Sequence, residues 1–212
     1  MDARALVGLG LFGIAAYVIH RQSQQSQTAT PFNVNAPDLS ITAPILSAPA
    51  IDTTGEIMGT MQSPSVYQTS PNGLNVIENF EGKSYVAYDD GFGNITIGIG
   101  HLIVPGDGLN TNSVLTDAQI AELFANDVAD AENVVKSMVT VPLTQGMFDA
   151  LVDFVFQFGE PKFASSTLLR LVNSRNYDSA RSELTKWVHA GNPPVVVSQL
   201  VQRRAADAAM FV

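Results

Sequence analysis

Glu81, Asp90 and Thr96 stand within one short stretch, Leu74 to Leu102, at places that apolar periodicity does not explain. A pair of carboxyls flanking a bond is the equipment of glycoside hydrolysis: one protonates the leaving oxygen, the other activates water or attacks the sugar. Each of the three also has an ordinary structural use, since helix-end Glu, turn Asp and strand Thr residues are commonly solvated or turn-forming.

The elements that would position them can be read locally. Leu74, Ile77 and Glu81 recur at i, i+3 and i+7, with Val76 and Phe80 beside them, Asn72 as candidate N-cap and Gly82 as the stop, so a short helix should end on Glu81. A carboxyl there meets the negative end of the helix dipole and partial burial, two conditions that favour a protonated acid. Tyr85 to Tyr88 reads as a strand, Asp89 to Asn94 as a turn, and Ile95 to Gly100 as a second strand. Period two assigns Ile95, Ile97 and Ile99 to the core face and leaves Thr96, Gly98 and Gly100 on an open face. A helix-end acid would then look across a cleft at a hairpin carboxylate and a hydroxyl.

Glu81-Gly82, Ala87-Tyr88-Asp89-Asp90 and Thr96-Ile97-Gly98-Ile99-Gly100-His101 together resemble the signature of the phage-type lysozymes, glycoside hydrolase family 24. The resemblance covers Leu74 to Val212 and says nothing about residues 1–73. It implies an α+β, lysozyme-like fold, with a small β-hairpin lobe and a larger helical lobe around a cleft. It also implies cleavage of the link between N-acetylmuramic acid and N-acetylglucosamine in peptidoglycan, without metal or cofactor. By the same resemblance Glu81 is the general acid, Asp90 positions or activates the attacking water, and Thr96 helps hold it. Asp89 is the rival for the second role, one residue out of register. Gln157 is similar to a cleft-lining residue of the family, a satisfied buried amide being the alternative. Arg203 and Arg204 are candidates for muropeptide carboxylates, with a solvated helix face as the other reading.

Composition sets bounds around this. The 212 residues include no cysteine, so no disulfide framework and no thiol chemistry is available, and the net charge of -9 argues against nucleic-acid binding. His20, His101 and His189 lack metal-ligand spacing; His101 is expected to orient neighbours by hydrogen bonds. Ala5 to Ile19 is an uncharged, mostly apolar run between Arg4 and His20-Arg21, short for a span but long enough if the flanking arginines snorkel. Residues 1–21 therefore read as a transmembrane or signal-anchor helix. A cleaved signal peptide is the alternative, although no small-x-small site precedes the polar run. Residues 22–73 hold six of the eleven prolines and much Gln, Ser and Thr, the composition of a linker; a strip docked on a partner or on the domain is the alternative. Residues 74–212 form the expected catalytic domain.

Within that domain Thr116-Asp117-Ala118-Gln119 predicts a capping box that opens a long helix with its acidic residues facing out. Thr144 should cap a helix apolar on most faces that stops at Gly159. Ser165-Ser166 should begin another, Tyr177 to Val188 a further one, and Pro193-Pro194 should introduce the last, ending near Phe211. Trp187 reads as core. The whole suggests a membrane-anchored peptidoglycan hydrolase, either in a virion membrane or in the host inner membrane facing the periplasm, with a virion or envelope protein as possible partner through the linker. A glycan-binding or structural module without catalysis, and a lytic transglycosylase, are the competing functions.

Overall fold

The computed structural model describes residues 60–89, 94–191 and 193–212. The apolar run at residues 5–19, the linker as far as residue 59, and Asp90 with the turn after it lie outside the described residues. Helix α1 (Pro71–Glu81) leads into strand β1 (Ser84–Asp89), which pairs antiparallel with β2 (Ile95–Gly98), itself paired with β3 (His101–Leu102). The small lobe is thus a three-stranded sheet rather than a simple hairpin. Tyr88 lies opposite Thr96 and Ser84 opposite Gly98, with an irregularity between them, and Val86 bridges to Val114 on the outer edge.

The large lobe is built around α3 (Gln145–Ala164), whose Phe148, Phe154, Phe158 and Phe163 are all enclosed. Each such ring contributes about 1.5–3 kcal/mol by leaving water, so this helix dominates the core energetics. Gly159, at φ 76°, breaks the helical run where the sequence predicts the stop, and Pro161 follows it. Around α3 pack α1, the long α2 (Asp117–Met138), α4 (Thr167–Asn173) and α6 (Ser198–Met210), with α5 (Tyr177–Leu184) against α4 and α6. Trp187 joins the core edge-on to Phe154, with centroids 4.8 Å apart.

Helix α2 serves both lobes. Ile120 and Leu123 complete a small core with Ile97, Ile99 and Leu115, while Val128, Ala131 and Val135 enter the large one; Phe124 packs on both. The predicted capping box is present, with the Thr116 hydroxyl accepting from the Gln119 amide at 3.3 Å. The acidic residues of α2 do not all face out, because Asp127 and Glu132 are buried. Glu132 accepts from the Thr69 amide and hydroxyl at 2.6 and 2.8 Å and pairs with Lys136.

That contact belongs to a collar that composition alone assigns to the linker. Gln62 and Leu143 exchange backbone hydrogen bonds, and the Tyr67 hydroxyl donates to the Leu143 carbonyl at 2.8 Å. The N-cap of α1 is Ser70 rather than Asn72, since Pro71 occupies the first turn and the Ser70 hydroxyl accepts from the Gly73 amide. Asp149 of α3 receives both the Ser70 amide and its hydroxyl, and burial pushes this carboxyl up against those hydrogen bonds. The boundary at Gly73 therefore falls inside α1, and residues 60–70 are packed on the helical lobe.

Two expectations for the C-terminal part are also revised. Helix α5 ends at Leu184, short of Val188, and a small ribbon of β4 (His189–Ala190) and β5 (Val195–Val196) precedes α6. Three successive β-branched valines after Pro194 favour an extended chain, so Pro193-Pro194 introduces a strand before it introduces the helix. Among the described residues no helix is long and apolar enough to cross a membrane.

Gly146 marks a close approach of α3 to α6, because a Cβ there would lie 2.1 Å from the Met210 carbonyl oxygen at the end of α6. Gly146→Ala should lower stability by about 1–3 kcal/mol, read as a shift of the urea midpoint at unchanged slope.

Candidate active site

Glu81 ends α1, and Gly82, at φ 71°, turns the chain away into β1. The Glu81 side chain is 11% exposed, and its Oε1 accepts from Arg203 Nη1 at 2.7 Å. Gly100 lies against the same carboxyl: a Cβ there would come within 2.7 Å of Oε2, so only glycine lets the acid rest on this turn. Thr96 is 0% exposed rather than on an open face, and its hydroxyl has no hydrogen-bond partner among the described residues. Of the three expected site residues the structure thus describes Glu81 and Thr96, and Asp90 is outside it; Asp89, the rival, is exposed at the end of β1.

Arg203 and Arg204 are neither on a solvated face nor open to a substrate carboxylate, since both are 0% exposed. Asp153 of α3 explains their burial. Arg203 donates from Nε to both oxygens of Asp153 at 3.0 Å and from Nη2 to Oδ1 at 2.7 Å, while Arg204 Nη2 donates to Oδ2 at 2.6 Å. Burial alone would push Asp153 up; the two guanidiniums outweigh it and hold the carboxylate below its usual range. Burial likewise works against the Arg203 charge, but Asp153 and then Glu81 hold it on. Arg203 lies over the Phe80 ring at 5.8 Å, and Arg204 over Phe158 at 5.2 Å. Gln157 is a buried amide whose Oε1 accepts from Arg204 Nη2 at 2.9 Å, while its Nε2 has no partner among the described residues.

His101, at the start of β3, ties the Ile99–Gly100 turn after β2 to α2. Its Nδ1 faces Asp127 at 3.0 Å, and its Nε2 is 3.4 Å from Asp107. A cavity of about 460 Å³ lies between α1, α2 and Gln68–Thr69; Glu78 lines it, but Glu81, Thr96 and Arg203 do not, so it is separate from the acid. Among the described residues no three His, Asp or Glu side chains are arranged to hold a metal ion.

The residue that sequence reading missed is Asp153. A signal was there: a carboxylate inside a helix apolar on nearly every face must find a buried cation, and the Arg203-Arg204 pair was the candidate. Asp153→Ala would remove the one carboxylate that both buried guanidiniums share and should cost about 3–5 kcal/mol in urea denaturation. Because the folded carboxyl is held low, its contribution is present above about pH 3.9 and is lost as pH falls through the lower folded value. The variant's stability should lack that acid-side decline.

Comparison with known proteins agrees with the geometry. The Phage lysozyme family model matches residues 78–207. The endolysin of Salmonella phage P22 is 36% identical over 145 residues, covering 68% of this chain and 97% of that protein. A SAR-endolysin of Enterobacteria phage P21 is 29% identical over 133 residues, covering 63% of this chain and 77% of that protein. Among solved structures, the muramidase domain of SpmX from Asticaccaulis excentricus superposes with a TM-score of 0.63 at 30% identity, covering 69% of this chain and 98% of that one. The chain belongs to the phage lysozyme family, as a glycoside hydrolase of the muramidase kind.

Proposed function

We propose that the chain cleaves the β-1,4 link between N-acetylmuramic acid and N-acetylglucosamine in peptidoglycan, with Glu81 as the general acid. The observation that carries this is the setting of Glu81: a little-exposed carboxyl at a helix end, fixed by Arg203 and pressed against Gly100. Asp153 offsets the charge of Arg203, so the guanidinium orients the carboxyl without presenting it with an uncompensated cation. Asp90 activates or positions the attacking water and Thr96 helps to hold it. A buried hydroxyl that finds no partner among the described residues supports that assignment, because buried polar groups are otherwise satisfied. Water standing between two carboxyls inverts the anomeric centre.

The test is digestion of purified peptidoglycan by the chain and by Glu81→Gln, with product ends identified by mass spectrometry. Reducing muramic-acid ends and a loss on the order of a hundredfold or more in the variant are expected. Anhydro ends would make the protein a transglycosylase, and tight glycan binding without turnover would make it a binding module.

The same reading includes a tether. Residues 5–19 anchor the chain in a virion membrane or the host inner membrane, with the catalytic domain on the periplasmic side. Likeness to a SAR-endolysin supports an anchored setting, for wall opening during infection or at lysis. The full chain should stay with membranes through alkaline carbonate washing, and a chain lacking residues 1–21 should be released; release of both would remove the anchor.

A further inference from the structure

The cavity beside the collar is a groove that neither Glu81 nor Thr96 lines. Its floor is apolar, with Leu74 of α1, Phe124 and Val128 of α2, and Ile99 and Ile120 from the small core. Ala121, Ala125 and Ala129 recur at i, i+4 and i+8, so they form one row on α2, and all three are exposed. A wall of single methyl groups lets a second stretch of chain come close to the helix. At the rim Lys83 pairs with Asp117 and Glu132 with Lys136, which leaves Glu78 as the one lining carboxylate without an ion pair among the described residues. Such a groove suits an occupant that is apolar and uncharged.

The same chain carries a segment of that kind. Between Asp38 and Asp52, residues 39–51 hold no charge but five large aliphatic side chains, Leu39, Ile41, Ile45, Leu46 and Ile51. A stretch that only spans distance has no use for them, since flexible linkers are built of small and polar residues. We propose that residues 39–51 dock in this groove, seating their aliphatic side chains between α1 and the alanine row of α2. Chain geometry allows it. The groove follows α2 from Glu132 to Asp117, about 22 Å at 1.5 Å per residue, a length that about seven extended residues cover. Thr60 lies beside Tyr67, whose hydroxyl donates to its carbonyl, and Gln68 and Thr69 just after Tyr67 line the groove. Residues 52–59 can span up to about 26 Å, enough to bring the segment back to it. Pro44 and Pro49 fix φ and so reduce the entropy lost when the segment is held. A segment tethered this closely is present at about millimolar effective concentration, so even a weak contact fills the groove. Once docked it lies across Ile99 and Ile120 of the small core and Leu74 and Val128 of the large one. It thereby bridges the two lobes and shortens the tether to residues 22–38.

The chain has no native cysteine, so a single thiol can serve as reporter. The experiment is the rate of maleimide labelling at Ala125→Cys in the full chain in lipid nanodiscs, with the native segment and with Ile41→Ser, Ile45→Ser, Leu46→Ser and Ile51→Ser together. Labelling should be about tenfold or more slower with the native segment, while Ala164→Cys, exposed and outside the groove, should react equally in both. Ser47→Cys paired with Ala125→Cys should form a disulfide within one chain at every protein concentration, and should lose it when the four serines are present. Equal labelling of Ala125→Cys with either segment overturns the proposal, whether the groove is open or filled by lipid. A disulfide found only in dimers also overturns it and gives the groove to a second copy. If Ala125→Cys does not fold, Ala129→Cys reports from the next turn. No peptidoglycan enters the measurement, so its outcome is independent of the reaction at Glu81.

Discussion

The Arg203 guanidinium has no exposed surface and lies between Asp153 and Glu81, so a single planar cation joins α6 to the middle of α3 and to the last residue of α1. Moving such an ion out of water costs several kcal/mol, and a well-packed apolar pair would stabilise the core as well or better. Its use here is placement. A bidentate fork fixes direction as well as distance, and the Asp153 end is rigid because α3 is enclosed along most of its length. The Glu81 carboxyl inherits that rigidity although it sits at the frayable end of a helix of eleven residues.

The two lobes depend on this frame in different ways. The large core is organised by α3 and its phenylalanines and closes over the ion cluster. Among the described residues the small core has five buried members, and two of them, Ile120 and Leu123, belong to α2. The sheet that carries Thr96 therefore takes its position from the first turns of α2, and His101 facing Asp127 adds a polar tie in the same direction. Glu81 is set by the large lobe and Thr96 by the small one, so their relation is governed by α2 and by the short Gly82–Lys83 link.

What was legible in the sequence was whatever local chemistry decides. The helix ending on Glu81, the Thr116 capping box, the Ser166 start and the Gly159 break all arise from residues within one turn of each other. The family signature supplied the lysozyme-like fold. What escaped were partnerships across the chain. Helical periodicity assigns Arg203 to a face but does not say that Asp153, fifty residues earlier, will enclose it. The acids of α2 fit a solvated pattern until Thr69 is seen to need Glu132 and His101 to face Asp127. The strip from Thr60 to Ser70 is polar and proline-bearing like the sequence before it, and its place on the domain comes from carboxylates at positions 132 and 149 and from the edge of Leu143.

That strip has a mechanical meaning. Tension transmitted along the chain from its N-terminal side reaches Gln62 before it reaches α1. There it meets, in series, the paired backbone bonds to Leu143, the buried Tyr67, the Thr69 grip on Glu132 and the double hold of Asp149 on Ser70. The load is thereby handed to α2 and α3 rather than to the helix that ends in Glu81. Under such a pull the collar would act as a strain relief, like the clamp that keeps a pull on a cable from reaching its solder joint, and would leave the Glu81 carboxyl in its setting.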